Sequence, residues 1–222
     1  MNGELDKFQM AAEVAIDLPD GGLVNLGIGL PILVAGRLSD EREIIIHSEN
    51  GILGMGPPPS PEEADPDLID AGKNPVTLQV GGSFISHADS FSIIRGGHID
   101  VSVMGAFQVS GSGDLANWWT GHGTPGVGGA MDLAVGAKRV FVIMKHTTPE
   151  GEPKIVESCS MPLTATGVVS RIYTELGIFE PTPEGVVTVL GLPGEVSLAD
   201  VQRLTGAPLR LAETPLHLPR SA

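Results

Sequence analysis

Apolar residues recur along this chain in two distinct patterns. Between residues 5 and 16 they fall at Leu5, Phe8, Ala12 and Ala15, a spacing that stacks them on one face of a helix. Pro19-Asp20-Gly21-Gly22 ends that helix with a turn. Leu23-Val24-Asn25-Leu26 follows as a short apolar strand, and Gly27-Ile28-Gly29 as a flexible turn. Pro31 then stands where a helix over residues 32–38 begins, because its missing N–H costs nothing at that position. Elsewhere the apolar residues come in short runs, unbroken at 44–46 and 140–144 and broken by single polar residues at 76–80 and 99–104. Runs without alternation suit strands buried on both faces of a parallel sheet. Helices are predicted between them at 86–94 and 130–137. Strand–turn–helix units in alternation predict an α/β fold: an open, largely parallel (mixed) sheet flanked by helices.

The C-terminal third has a different rhythm. Residues 171–179, a Pro-Thr-Pro-Glu-Gly turn at 181–185 and residues 186–190 predict a hairpin. Ser197 with Asp200 three positions on reads as an N-cap and its partner, opening a helix to Leu204. The Pro-rich, acidic stretch 57–70 reads as a loop, and 212–222 as a loosely held tail. No repeat or linker divides the 222 residues, so a single domain over 1–222 is expected.

Composition narrows the class. The 30 glycines and 18 prolines are scattered as punctuation without a Gly-X-Y period, which excludes collagen-like sequence. Thirteen basic against 27 acidic residues give a net charge of −14 with no basic run, so no nucleic-acid partner is expected. The lone Cys159 excludes an internal disulfide framework. The six histidines form no HExxH pair and no Cys/His cluster; no metal site is expected, and all six read as satisfied or surface residues. Residues 1–10 do not read as a signal or transit peptide. The longest apolar stretch, 23–34, is interrupted by Asn25, Gly27, Gly29 and Pro31 and is too short for a membrane span. A cytoplasmic protein with no membrane partner is the expectation.

Three features carry possible chemistry. Gly27-Ile28-Gly29 invites a dinucleotide reading, but Ile32 occupies the place of the third fingerprint glycine. It reads either as a tight turn or as an anion site on free N–H groups. Trp118-Trp119 would stack an adenine, line a pantetheine tunnel, or pack in the core or against a subunit. The sharpest feature is His47-Ser48-Glu49-Asn50-Gly51, with further glycines at 54 and 56. It begins where a strand ends, and ligands of open α/β sheets bind beyond the carboxyl ends of strands. Glu49 reads there as a general base or nucleophile, or as a solvated residue in a turn. The glycines read as room for a ligand to approach the backbone.

Ser48-Glu49-Asn50-Gly51 with Gly54 and Gly56 resembles the signature of the B (β) subunit of class I CoA-transferases, within the succinyl-CoA:3-oxoacid group. The resemblance runs almost the whole chain. It continues through Val24-Asn25-Leu26-Gly27-Ile28-Gly29-Leu30-Pro31, Asp67 to Lys73, Ile94 to His98, Gly105 to Ser110, Gly113 to Trp118, Gly128 to Leu133, Pro162 to Thr164 and Ser170 to Tyr173.

The resemblance implies a role for each of several residues. Glu49 would be the nucleophile that becomes a glutamyl-CoA thioester. Asn25 would reach the active-site carboxylate, and Lys73 would lie near CoA or the acyl carboxylate. The Gly129 N–H would help form an oxyanion hole, with Gly27, Gly29 and Gly128 as further backbone positions. Asp70 stands where relatives usually have asparagine, and would weaken the pull of Lys73 on an anion. CoA would be a substrate, with no metal or redox cofactor. The implied partners are an A (α) subunit in a heterotetramer, succinyl-CoA and a 3-oxo acid, with 3-oxoadipate favoured and acetoacetate the alternative. Lys73, Arg95 and Arg171 are the candidate cations for an anionic substrate. A CoA-ester hydrolase and a sugar-phosphate-binding domain remain as competing readings of the same fold.

Overall fold

The computed structural model describes residues 3–39 and 41–218. The chain runs α1 (Lys7–Asp17), β1 (Leu23–Leu26), a 3-10 helix (Leu30–Arg37), β2 (Ile45–Ser48), β3 (Ile52–Met55) and β4 (Leu78–Phe84). It continues through α2 (His87–Arg95), β5 (Val101–Met104), β6 (Gln108–Ser110), β7 (Leu115–Ala116), α3 (Ala130–Gly136) and β8 (Arg139–Ile143). The last part holds β9 (Ile155–Val156), β10 (Val169–Thr174), β11 (Gly177–Glu180), β12 (Val187–Pro193), α4 (Leu198–Arg203) and β13 (Leu209–Leu218).

Ten strands form one sheet in the order β13-β12-β11-β10-β8-β5-β1-β2-β3-β4, and β7-β6-β9 form a small second sheet. The centre of the large sheet, β10-β8-β5-β1-β2, is parallel throughout. Both flanks fold back antiparallel. The sheet is therefore mixed with a parallel core, as the short apolar runs predict. Both faces of that core are covered. β8 sends Val140 and Val142 into a cluster with Ile94, Leu133 and Val201 from α2, α3 and α4. Phe141 and Ile143 point the other way, into a cluster with Met10, Val14 and Val34 from α1 and the 3-10 helix.

Local chemistry fixes the helix ends. The Asp6 carboxylate accepts from the Phe8 and Gln9 N–H groups, and the Gln9 side chain accepts from the Asp6 N–H, closing a capping box. Ser197 caps α4 in the predicted manner, accepting from the Asp200 N–H group, and Ser86, read from the sequence as the first helical residue, caps α2 by accepting from the Asp89 N–H group. At the other end of α1, the Asp17 carboxylate accepts from Arg171 Nη1 and Tyr173 Oη, both at 2.6 Å, tying the helix to β10.

Several elements depart from the sequence pattern. The segment after Pro31 is 3-10 and not α-helical. The strand expected at 76–80 lies at Leu78–Phe84 and is an exposed antiparallel edge, with Val80 and Phe84 in solvent. Residues 171–179 are not one arm of a hairpin: the chain turns at Glu175-Leu176, so β10, β11 and β12 form a three-stranded meander. Residues 212–218 of the expected tail belong to β13, which pairs parallel with β12; residues 219–222 lie outside the described residues. These errors share a cause. A short apolar run has the same pattern at the centre of a sheet and at its edge, and only pairing separates them.

His146, next to the carboxyl end of β8, is fully buried. Thr205 Oγ1 donates to Val201 O at 2.7 Å, so it accepts from His146 Nε2–H at 2.8 Å, which leaves Nδ1 to accept from Thr174 Oγ1. The ring is neutral, and burial pushes its pKa down to about 4 from 6.5. Between those values the unfolded chain binds a proton that the folded one refuses, so stability falls as pH drops through that window. His146→Gln should therefore flatten the dependence of the urea midpoint on pH between about 6.5 and 4, by up to about 1.4 kcal/mol per pH unit. Parallel curves for the two proteins would contradict a neutral buried ring.

Candidate active site

Glu49 occupies a tight turn between β2 and β3. The Gly51 N–H donates to Ser48 O at 3.0 Å, so Glu49 and Asn50 are the two central turn residues. The turn is anchored on three sides. Asn50 Nδ2 donates to Ile69 O at 2.7 Å, the Ala71 N–H donates to Ser48 Oγ at 3.0 Å, and the Ile85 N–H donates to Gly51 O at 2.9 Å. Gly51 has φ +120°, and a Cβ there would lie 2.3 Å from Ile85 O, so no side chain fits this position. Gly54 and Gly56 serve packing and not ligand approach: Cβ atoms there would meet Gly82 Cα at 3.0 Å and Thr77 Oγ1 at 2.4 Å. The ligand-loop reading of 51–56 is thus corrected to a hairpin pressed against β4 and the segment before it.

The half-buried Glu49 side chain opens into a cavity of about 480 Å³ at the carboxyl ends of β1 and β5. Asn25, Gly27, Ile28, Met104, Phe107, Asn117 and Gly126 to Ala130 contribute to its wall. Burial raises the Glu49 pKa, and the charge of His87 opposes the rise. The carboxylate lies against the entrance of α3, where a Cβ on Gly129 would sit 2.7 Å from Glu49 Oε2 and 2.9 Å from Phe91 Cζ.

Asn25 is 3% exposed and pairs in register with His47 of the next strand. Its Nδ2 lies 3.2 Å from His47 O and 3.0 Å from His47 Nδ1. A carbonyl oxygen only accepts, so this atom of the amide is the nitrogen, and its two hydrogens go to His47. His47 Nε2–H is left to donate to Ser90 Oγ at 2.8 Å, and burial lowers the ring pKa to about 4. Asn25 therefore keeps its carbonyl oxygen as its remaining hydrogen-bonding group.

The other sequence candidates separate. Gly128 and Gly129 line the cavity, and the hydrogen bonds at this bend engage the Ala130 and Leu133 N–H groups. Gly27 also lines it, but its N–H donates to Val103 O at 2.8 Å and is not a free donor. Gly29, at φ +91°, caps the 3-10 helix away from the wall. Lys73 sits exposed at a turn tip with φ +66°, outside the cavity wall. Asp70 accepts from the backbone and side chain of Asn74. Arg95 pairs with Asp132, and Arg171 with Asp17 and Glu180, so neither faces the cavity. The two tryptophans stack on each other with centroids 6.1 Å apart, their indole N–H groups donating to Leu163 O and Gly123 O. They pack outside the two apolar clusters and outside the cavity wall.

Asn117 went unrecognised as an individual residue in the sequence. Its Nδ2 donates to Gly105 O at 3.2 Å, and its Oδ1 accepts from Thr164 Oγ1 at 2.6 Å. Its position between Ala116 and Trp118 carries no periodic signal, because the partners that hold it are 12 and 47 residues away. Cys159 is half-buried and burial pushes its thiol up to about 11, which leaves it protonated and unreactive.

An oriented carboxylate beside glycine-lined backbone, on the carboxyl edge of a parallel sheet, marks a candidate catalytic site in an α/β fold. The Coenzyme A transferase family matches residues 8–190, and the chain belongs to that family. It is 55% identical over 208 residues to the B subunit of 3-oxoadipate CoA-transferase from Pseudomonas putida, covering 93% of this chain and 97% of that one. It is 47% identical over 194 residues to the B subunit of succinyl-CoA:3-ketoacid coenzyme A transferase from Helicobacter pylori, covering 87% and 93%. Among solved structures, the acyl-CoA transferase apoenzyme of Escherichia coli O157:H7 aligns with a TM-score of 0.74 at 17% identity. That alignment covers 98% of this chain and 44% of the longer one, and supports the fold. No helix among the described residues is long and apolar enough to cross a membrane.

Gly129→Ala tests the geometry. The backbone there, at φ −84°, accepts alanine, so the fold should be kept. The new methyl must displace both the Glu49 carboxylate, by about an ångström, and the edge of the Phe91 ring, and turnover should fall on the order of a hundredfold with a Tm loss limited to what Phe91 must give. Wild-type turnover in the variant would show that Gly129 does not set the carboxylate position.

Proposed function

We propose that this chain is the B subunit of a CoA-transferase that moves CoA from succinyl-CoA to a 3-oxo acid, with 3-oxoadipate as the acceptor. The observation that carries the reading is the half-buried Glu49, held by its turn over Gly129. The 55% identity to the Pseudomonas putida relative supports 3-oxoadipate over acetoacetate.

The reaction follows from the residues. The Glu49 carboxylate attacks the thioester carbonyl of succinyl-CoA and expels CoA thiolate, leaving a mixed anhydride. The thiolate attacks the glutamyl carbonyl of that anhydride and releases succinate, forming a thioester between Glu49 and CoA. The acceptor carboxylate then attacks this thioester, and the released thiolate attacks the acceptor side of the new anhydride, which frees Glu49. Each step exchanges one activated acyl bond for another, so the chemistry requires no metal or redox cofactor, and coenzyme A enters as substrate. Every tetrahedral oxyanion needs donors, and the Gly128 and Gly129 N–H groups are the backbone candidates beside Glu49. Asn25, with its amide hydrogens committed to His47, offers an acceptor to an N–H or O–H group of the substrate.

Water must be excluded, or the anhydride hydrolyses. The chain exposes Ile28 at the cavity and Met131 and Val135 one turn apart on α3. An A subunit covering this rim in a cytoplasmic heterotetramer completes the reading. Lys73, at its exposed turn, would then meet CoA through that assembly.

Incubating the A/B enzyme with succinyl-CoA and no acceptor should place CoA on Glu49, read as an intact-mass increase of this subunit and mapped by peptide analysis. Glu49→Ala and Glu49→Gln should carry no adduct and no activity. An adduct on Cys159, Asp70 or Asp132 would overturn the mechanism.

The same nucleophile sets a pH dependence. Glu49 must be ionised to attack, and burial raises its pKa above the ordinary 4.5. Activity should fall on acidification with an apparent pKa above that value, and His87→Gln, which removes the opposing charge, should move the limb higher. A limb unmoved by His87→Gln would remove His87 from the electrostatics of the site.

A further inference from the structure

A second cavity, of about 610 Å³, adjoins the first and shares Phe107 with it. Lys145, Lys154, Glu175, Thr147 and Met161 are among its other lining residues. It lies on the same carboxyl edge of the sheet, since Lys145 follows β8 and Glu175 follows β10, parallel neighbours of β5.

The two cavities differ in charge. Among the described residues, the wall around Glu49 contains no lysine, arginine or histidine. The second cavity holds two lysines. Lys145 Nζ lies 3.9 Å from Glu175 Oε1, and Glu175 Oε2 accepts from the His146 N–H at 3.0 Å. That carboxylate is thereby satisfied. Glu150, the other carboxylate in the wall, is exposed. Lys154 is half-buried, and its ammonium makes no ion pair or hydrogen bond with any described residue, although Glu175 is near enough to act on it through charge. Its backbone is pinned: the Lys154 N–H donates to His146 O at 3.0 Å, and its carbonyl accepts from the Val109 N–H at 2.9 Å. A partly desolvated cation with no direct partner, beside only the distant charge of Glu175, is stabilised by an anion brought to it.

We propose that this second cavity binds the distal carboxylate of a six-carbon dicarboxylic acyl group, with Lys154 as its counter-ion, and so selects dicarboxylic over monocarboxylic 3-oxo acids. The inference rests on the CoA-transferase reading above and adds the group that recognises the far end of the substrate. The strand spacing is compatible with such a span. β2, which carries Glu49, and β8, beside whose carboxyl end the Lys154 backbone is tied to His146 O, are three strand spacings apart, about 14 Å. A six-carbon acid spans about 6 Å between its terminal carbons. Contacts of about 3 Å at each end, with the lean of the Glu49 and Lys154 side chains, cover the remainder. The distal carboxylate of the succinyl donor and the phosphates of CoA are the other anions in the reaction; saturating donor and the acceptor ratio separate their effects from that of the acceptor carboxylate.

In a ping-pong enzyme, kcat/KM for the acceptor reports its own half-reaction and is independent of the donor. The A/B enzyme carrying Lys154→Met, which keeps the length of the stem, is assayed with saturating succinyl-CoA against 3-oxoadipate and 3-oxohexanoate. These acids share a carbon chain and differ in the distal carboxylate. The ratio of kcat/KM for 3-oxoadipate over 3-oxohexanoate should fall about thirtyfold, as expected for losing one charge-assisted contact. Lys154→Arg should keep the ratio within about threefold, and a thermal melt checks that both variants fold. An unchanged ratio in a folded Lys154→Met enzyme overturns the proposal. A loss of kcat/KM for every CoA thioester, with the acceptor ratio intact, overturns it in favour of a phosphate contact. Absence of transfer to either acid in the wild-type enzyme refutes the function reading instead.

Discussion

Parallel pairing at the centre of the sheet is the constraint on which the rest depends. Five neighbouring strands run in one direction, so their carboxyl ends emerge on one edge. That edge carries the groups that matter: Asn25 in β1, Glu49 just after β2, Met104 closing β5, Lys145 after β8 and Glu175 after β10. Residues as far apart in the chain as Asn25 and Glu175 come to line adjoining cavities without a dedicated loop to carry them. The parallel arrangement is itself made affordable by helices on both faces, which bury the two apolar clusters.

On that edge the site is shaped as much by missing side chains as by present ones. Gly51 lets the hairpin close against Ile85, and Gly129 lets the carboxylate rest on the start of α3. Both spaces would be filled by a single methyl group. Beneath them lies a neutral polar chain of Asn25, His47 and Ser90, with no charge to compete with the nucleophile. A charged histidine there would pull on Glu49; burial keeps it neutral. Electrostatics at the site is thus set largely by desolvation, which raises the carboxylate and lowers the imidazole through one cause acting on groups of opposite charge type.

The sequence made much of this legible. The helices at 86–94 and 130–137, the Ser197 cap, the parallel core and the position of Glu49 at a strand end all follow from period and turn chemistry. The failures are equally specific. Gly27 was expected to lend its N–H, yet Val103 takes it. Arg95 and Arg171 were expected to supply positive charge, yet both are engaged by carboxylates. Lys145 and Lys154 had no signal at all, since a lysine in a Thr/Pro/Glu-rich stretch looks like any solvated lysine. Asn117 is likewise defined only by distant partners.

The division has a physical reason. Periodicity, turn residues and caps express forces between residues near in sequence, and those are written into the sequence itself. The sequence alone therefore determined the α/β class, most helix limits and the place of Glu49 at a strand end. Strand order, edge or centre, and the fate of each cation and each backbone N–H depend on contacts between segments tens of residues apart. Only the tertiary structure decided that β4 and β13 are the edges, that Asn25 turns its carbonyl and not its amide hydrogens away from His47, and that an unpaired lysine waits beside the cavity of Glu49.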